Sequence, residues 1–372
     1  MAEDKKISLG RIILFAMVAL GGISGLARLL LGLGATTNLS DAYPWGLWIS
    51  FDVLTGVALA SGGFIMTAVI YMFNLRKYRP LLRPAKLSAL LGYLMFMAGL
   101  FFDLGMPWRI WHPLIMWNPQ SVLFEVSWCV MLYTTVLGLD VLIFALERWR
   151  AENWVRFFRN IYVVLIVAGI VLSTLHQSSL GALYLLLPEK MSDLWSTQAI
   201  GVLFLVSAIA GGLGVIVLES LISSRVYGRK PEMEILSDLA KGMAVIMLVF
   251  LVIKVVDVSI RGVTIWKLNS THLLFHAELL IALVLPVLLL ILPKVRNTSS
   301  GLLCSASLAT FWVALTRFNV SLTSYAGYRQ ASYFPSFVEI AVTVSLFALG
   351  ILIFDLGVRY LPIYEQDNSA LG

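Results

Sequence analysis

The sequence predicts an all-α membrane protein of about ten transmembrane helices, and three observations predict it. Of the 372 residues, 59% are hydrophobic and only 13% charged, far from the composition of a soluble domain. Apolar runs of about 20 residues, the helical length that crosses a hydrocarbon core, recur along the whole chain. The lysines and arginines gather in every second connection between those runs. The net charge of +6 therefore reads as membrane topology and not as a nucleic-acid-binding surface.

The first run, 11–33, follows MAEDKKISLGR with no small-residue cleavage site after it, so it reads as a retained helix and not as a signal peptide. The second, 45–75, carries the small residues SGGF at its middle, as helix-packing faces in membranes do. The third, 84–105, ends at DLG; the fourth, 121–147, runs from VLFE to ERWR; the fifth, 156–176, ends in the polar stretch STLHQSSLGAL. The remaining runs are 197–223, with AIAGGLG at its middle, then 236–260, 272–293, 301–319 and 336–361. ALASGGF (58–64) leading to RKYRP and AIAGGLG (208–214) leading to RVYGRKP form a faint repeat at an offset of about 150 residues. The expected organisation is one integral membrane domain, 1–372. Within it lie a first four-helix bundle at 45–176, a second at 197–319, and flanking helices at 11–33 and 336–361.

The linkers RKYRPLLRPAK, ERWRAENWVRFFR, SRVYGRK and PKVR, with the two tails, hold most of the basic residues, whereas the opposite loops hold Arg109, Lys190, Arg261, Lys267 and Arg329. The positive-inside rule then puts both termini in the cytoplasm. The outward loops carry an expected interfacial belt: Tyr43, Trp45, Trp108, Trp111, Trp117, Trp195, Trp266, Tyr325, Tyr328 and Tyr333. None of these loops is long enough to fold as a soluble domain, so a redox or catalytic domain working with this chain must be a separate subunit.

Ionisable side chains inside a bilayer are costly, so their depth is informative. Arg28, Asp52, Asp103, Glu125, Lys254, Asp257, Glu278, Arg317 and Glu339 are expected in the outer half, and Asp140, Glu219 and Asp355 toward the cytoplasm. The histidines fall on the outer side as well: His112 in a loop, His176 at the end of the fifth helix, His272 and His276 at the start of the eighth. A ladder of two haems needs axial histidines at two depths, which this arrangement lacks. His272 and His276, one turn apart, have the spacing of a two-ligand metal face, but only Glu278 stands near to complete it. The two cysteines, Cys129 and Cys304, are too few for an iron-sulfur cluster and read as small buried hydrophobes. The polar stretch at His176 to Ser179 offers donors, acceptors and a group titrating near neutral pH, which suits a lipid-soluble ring with two carbonyls. The same residues also suit a helix end satisfying its own backbone groups, and both readings stay open.

PWGLWISFD (44–52), SGGF, YRPLLRPAKLSALLGY (78–93), DLG followed by PWRIWHP (103–113), NPQSVLFE (118–125) and STLHQSSLGAL (173–183) together resemble the NrfD-like membrane subunits of respiratory complexes, most of all those of the hydrogenase-2 type. The resemblance covers nearly the whole chain. It implies a haem-free, quinone-reactive subunit of the bacterial inner membrane that holds no iron-sulfur cluster and works on menaquinone or ubiquinone. The implied partners are a ferredoxin-like iron-sulfur subunit and a catalytic subunit on the periplasmic side, with a nickel-iron hydrogenase as the complex it points to. Carried over residue by residue, His112, Asp103 and Glu125 would be the catalytic proton donors. His176, Trp108 and Arg109 would complete the quinone pocket, and Asp52, Asp140 and Glu219 would form a proton pathway. The chain departs from the family at Met106, where an arginine is common; Arg109 follows three residues later. A non-catalytic anchor of a redox complex and a secondary transporter are the rival readings. The transporter reading expects paired broken helices that the sequence does not display.

Overall fold

A computed structural model describes residues 9–40, 43, 45–267, 269–326 and 333–364 of the chain. Among these residues, ten helices are long and apolar enough to cross a membrane. They are α1 (Leu9–Leu31), α2 (Trp48–Met72), α3 (Arg76–Asp103), α4 (Val122–Arg148), α5 (Glu152–Leu186), α6 (Ile200–Tyr227), α7 (Met233–Ile260), α8 (Ser270–Ile291), α9 (Ser299–Tyr325) and α10 (Phe337–Tyr360). The chain is an all-α, multi-pass membrane protein, and each predicted run falls on one of these helices. Of the residues named above, Pro44, Tyr328, Arg329 and the two charged tails lie outside the described residues.

Two helices depart from expectation. The regular helix of α5 does not end at 176 but continues to Ala182. Its polar side chains fold back on their own helix: Thr174 donates to the Ile170 carbonyl at 2.8 Å and Ser178 to the Leu175 carbonyl at 2.8 Å. Hydroxyls satisfied in this way cost a helix little, so the polar stretch is a helix interior. His176 is consequently about 9 Å inside the helix end at 1.5 Å per residue, and it is fully buried.

α2, in contrast, is broken. Wide π-helical turns at Trp48–Thr55 and Ala68–Met72 flank two short α-helical pieces. At the junction the Ser61 amide bonds to the Ala58 carbonyl, 3.3 Å, instead of the carbonyl four residues back. That releases the Val57 carbonyl, which Gln177 of α5 satisfies at 2.9 Å. α8 carries a π segment at Ala277–Val284 ahead of Pro286. Broken spans are thus present, although α2 and α8 do not occupy matching positions of the sequence repeat.

α6 lies at the centre of the packing. It runs against α2, α5, α7 and α9, while α1 and α10 pair with each other and α10 lies on α3. One continuous apolar core joins residues of α2 through α9. The two copies of the repeated motif meet directly: the Ser61 hydroxyl donates to the Ala208 carbonyl at 2.7 Å, and a Cβ on Gly212 would stand 2.8 Å from the Gly62 amide nitrogen. Such approach of backbones is what small residues permit in membranes.

The aromatic residues split into two groups. Trp108, Trp117 and Trp266 are 66%, 65% and 81% exposed, whereas Trp195 is 1% exposed and Tyr43 and Tyr325 are also core residues. Trp195 is held inside because its indole N–H has a buried acceptor, so it is not a belt residue. Cys129 is buried as expected, but Cys304 is exposed.

Candidate functional site

The turn between α3 and α4 carries Trp108, Arg109 and His112 on two short 3-10 segments, Pro107–Arg109 and His112–Leu114, each with a proline in its first turn. Trp108 and Arg109 are exposed and His112 is half-buried, with its ring edge-on to Trp111 at 4.6 Å. The Trp128 indole N–H of α4 donates to the Pro113 carbonyl at 2.8 Å and so ties this turn to α4, one helical turn from Glu125. Glu125 accepts a hydrogen bond from the Ser179 hydroxyl at 2.7 Å. A carboxylate and a histidine-bearing turn therefore lie at the same, aromatic end of the helices.

Beneath Glu125, His176 is gripped on both ring nitrogens. The Leu172 carbonyl lies 2.7 Å from Nδ1 and, as an acceptor only, fixes the proton there. Nε2 is then free to accept, and the Tyr93 hydroxyl of α3 donates to it in a short contact. Tyr133 of α4 closes the group, with its ring 4.8 Å from that of Tyr93. The buried Ser173 hydroxyl lies within reach of the Tyr93 and Tyr133 hydroxyls.

Asp103 has different neighbours from Glu125. Arg28 of α1 donates to the Phe102 and Leu104 carbonyls at 2.8 and 2.6 Å, which caps the end of α3. Asp103 lies within electrostatic reach of Arg28, Asp52 and Glu339, and keeps one buried carboxylate oxygen unpartnered. Asp52, on the first π turn of α2, accepts from Thr343 of α10 at 2.8 Å. It fits against α3 only because Gly99 has no side chain: a Cβ there would be 2.6 Å from that of Asp52. Glu339 receives the Tyr333 hydroxyl, whose pKa is pushed up by burial and then by that bond, so it stays a donor. The expected pocket residues thus divide: His112, Trp108 and Arg109 on the turn, Glu125 and His176 on α4 and α5, Asp103 toward α1 and α10.

The inner carboxylates also divide. Asp140 pairs with Lys86 at 2.7 Å, and both side chains are almost wholly buried. Lys86 ends the basic linker RKYRPLLRPAK and also falls within the third apolar run, 84–105; it lies inside α3. Glu219 instead accepts from Tyr364 at 2.5 Å, a phenol whose pKa burial and then the Glu219 charge push up. The segment after α10 therefore covers Glu219.

A second polar cluster fills the same end of α6 to α9. Glu278, on the π turn of α8, accepts from Trp195 at 3.0 Å, Asn319 at 2.6 Å and Thr316 at 3.2 Å. Lys254 donates to the Leu194 carbonyl at 2.8 Å, Arg261 to the Asp193 and Ser196 carbonyls at 2.6 and 2.8 Å, and Thr197 to Asp257. Every one of these residues except Asn319 and Thr316 engages the loop between α5 and α6, so this cluster is a clamp on that loop.

The histidines do not fit a buried haem. His176 has both nitrogens engaged, and so has His272, which contacts Asn269 at 2.7 Å and the Thr264 carbonyl at 3.0 Å; His276 contacts the Ile265 carbonyl at 3.0 Å. An axial ligand needs a ring nitrogen free to face iron. That leaves His112, on the surface turn between α3 and α4, and His276, on α8. Among the described residues no group of three or more histidine, cysteine, aspartate and glutamate side chains is placed to hold a metal ion.

A family model described as "Polysulphide reductase, NrfD" matches residues 35–330. The chain is 30% identical to the "Probable Ni/Fe-hydrogenase 2 b-type cytochrome subunit" of Escherichia coli, over 90% of this chain and 87% of that protein. It is 28% identical to the "Menaquinone reductase, integral membrane subunit" of Nitratidesulfovibrio vulgaris, with the same coverage of 90% and 87%. A third relative, the "Hdr-like menaquinol oxidoreductase integral membrane subunit" of Archaeoglobus fulgidus, is 23% identical over 95% of this chain and 93% of that protein. The b-type cytochrome in the first of these names stands against the haem-free expectation, while the engaged histidines of this chain stand for it. The breadth of the match, across α2 to α9 and the residues around Glu125 and His176, places the chain in the NrfD family.

Proposed function

We propose that the chain is the quinone-reactive membrane subunit of a respiratory oxidoreductase complex, passing electrons between an iron-sulfur partner and the membrane quinone pool. The observation that carries this reading is the placement of Glu125, bonded to Ser179, between the His112 turn and the buried Tyr93–His176 pair. A quinone head group has two carbonyl oxygens that need hydrogen-bond donors and, on reduction, two protons. His112 and Glu125 supply these at the aromatic end, with Asp103 offering its unpartnered oxygen from the end of α3, and Trp108 and Arg109 border the approach. Two electrons from the partner and two protons convert the quinone to quinol; reversing both gives quinol oxidation. Menaquinone is favoured over ubiquinone by the name of the Nitratidesulfovibrio relative, and a nickel-iron hydrogenase is favoured as the complex by that of the Escherichia relative.

In this reading the aromatic end faces the periplasm of a bacterial inner membrane and meets the iron-sulfur and catalytic subunits, and both termini are cytoplasmic. The helices work as two four-helix bundles, α2 to α5 with the quinone site and α6 to α9 with the clamp. Asp140 belongs to a proton pathway from the cytoplasmic side, with Asp52 and Glu219 as its further carboxylates.

The test is to purify the complex from native membranes and compare quinone-linked turnover with turnover to a soluble dye that takes electrons from the partner. Glu125→Gln and His112→Ala are expected to abolish the first and spare the second, with the complex intact by mass spectrometry. Full quinone turnover in both variants would instead make the chain a non-catalytic anchor.

A further inference from the structure

We propose that a halide ion, chloride being the abundant one, binds inside the protein, held by Arg317 of α9 together with the hydroxyls of Tyr184 on α5 and Tyr325 at the end of α9. The site takes no part in the quinone reading and stands whether or not that reading holds.

Arg317 is one of the most deeply buried charges in the chain, at 1% exposure. Its Nη2 donates to the Phe204 carbonyl of α6 at 2.9 Å, and the guanidinium lies over the Phe204 ring, 3.7 Å from its centre. Nε and Nη1 are buried with no acceptor among the described residues. The Tyr325 hydroxyl is buried in the same condition, and the buried Tyr184 hydroxyl has the Ser321 hydroxyl within reach. Arg317 and Tyr184 lie within electrostatic reach of each other, and the Tyr184 and Tyr325 rings are 6.5 Å apart. Trp45 closes the group edge-on, with its ring 4.8 Å from that of Tyr184 and 5.9 Å from that of Tyr325.

The donor set and the charge both call for an anion. A guanidinium carries N–H donors and no acceptor, and each phenol has a proton to give. In the polar cluster of α6 to α9, Lys254, Arg317 and Glu278 are 2%, 1% and 0% exposed. The Glu278 oxygens are taken by Trp195, Thr316 and Asn319, and Asp257 is paired with Arg261 at 2.6 Å. Two buried cations therefore face one buried carboxylate, and Arg317 cannot shed its proton to settle the difference. A buried charge without a counter-charge is heavily penalised, above all inside a membrane. One bound anion accepts from Nε or Nη1 and from the phenols, and it balances the charge; a water would accept the hydrogens and leave the charge. Tyr184 and Tyr325 are 0% and 4% exposed, so a monatomic ion suits the site better than a polyatomic one. The Tyr325 phenol, on the 3-10 turn that ends α9, turns aside to admit it.

The experiment takes the whole purified complex in a gluconate buffer and titrates it with sodium chloride or sodium bromide at constant ionic strength, recording Tm. Either halide should raise Tm saturably, by about 3 °C or more, as a ligand of the folded state does. Arg317→Met should melt at one temperature in gluconate and in halide. Tyr325→Phe keeps the ring and removes only the hydroxyl, so it serves in case the first variant assembles poorly; it should raise the half-saturating halide concentration at least tenfold. Crystals grown in bromide should show an anomalous peak between Arg317 and the Tyr325 hydroxyl. Equal Tm in gluconate and halide would overturn the site. So would an undiminished halide effect in both variants, or bromide bound at the surface alone. None of these readouts uses quinone, so their failure leaves the quinone reading untouched.

Discussion

Lys86 and Asp140 face each other at 2.7 Å with side chains only 2% and 6% exposed, in the half of the helices farthest from Glu125. A charge pair at that burial needs both members, because attraction between them is what offsets the loss of water. The second oxygen of Asp140 has no protein partner. Stability alone would favour an apolar pair of the same volume, so the pair marks a position where charge is used.

Removing one member should therefore cost more than removing both. Asp140→Asn leaves a buried ammonium without its counter-charge, a cost of about 3–5 kcal/mol. Melting of the purified complex in detergent should show a lower Tm for Asp140→Asn and for Lys86→Met. The double variant Lys86→Met, Asp140→Leu should recover most of that Tm and still fail in quinone-linked turnover. Recovery of turnover along with Tm would assign the pair a purely structural role.

At the proposed quinone site, Ser179→Ala keeps the Glu125 carboxylate and removes one hydrogen bond to it. A hydrogen bond to a charged group is worth about 1.5–3 kcal/mol, so kcat/KM for quinone should fall by roughly 10- to 100-fold. Glu125→Gln removes the proposed proton donor itself, and a loss of about 10²- to 10⁴-fold is expected. Steady-state assays with quinone and with a soluble dye separate this from loss of the partner. An equal fall in both assays would mean that Glu125 acts in assembly.

The clamp on the loop between α5 and α6 leads to a different expectation. Trp195→Phe removes the indole donor to Glu278 while keeping an aromatic ring against Phe275. One buried carboxylate oxygen then loses a partner, a cost of about 1–3 kcal/mol. Hydrogen exchange should rise across the Met191–Thr197 loop, with quinone KM little changed. A large change in KM without faster exchange would point to a direct role for this cluster in quinone binding.

How much of this was legible in the chain depended on the physics involved. The ten spans were visible because a soluble fold has little use for so many apolar runs of about 20 residues, and each falls on a helix. The end of α5 is not legible, because Thr174, His176 and Ser178 look like a helix terminus, whereas they bond to carbonyls of their own helix. Nothing local in the sequence distinguishes these alternatives. Lys86 was hidden by its position beside a basic linker, since its burial comes from α4 and α5, far away in sequence. Trp195 resembled an interfacial residue because its acceptor, Glu278, is 83 positions away. The break in α2 was half visible, as SGGF marks a close approach but not which partner makes it. Tyr93 and Tyr133, which join His176 to the inner half, gave no signal among thirteen tyrosines.

That close approach gives the last expectation. A Cβ on Gly212 would stand 2.2 Å from the Ser61 hydroxyl and 2.8 Å from the Gly62 backbone nitrogen. The first atom can rotate away, but the second belongs to the backbone of α2 and moves only if the helices part. Gly212→Ala should therefore separate α6 from α2, break the Ser61 to Ala208 bond and cost at least about 1–3 kcal/mol, as overpacking does. Gly138 is the control: it also lies inside a helix, α4, but a Cβ there would meet nothing within 4 Å. Gly138→Ala should leave Tm unchanged or raise it, since alanine is favoured over glycine in a helix by about 0.5–1 kcal/mol. If Gly212→Ala melted like Gly138→Ala, contact between the two repeated motifs would not be what holds α2 and α6 together.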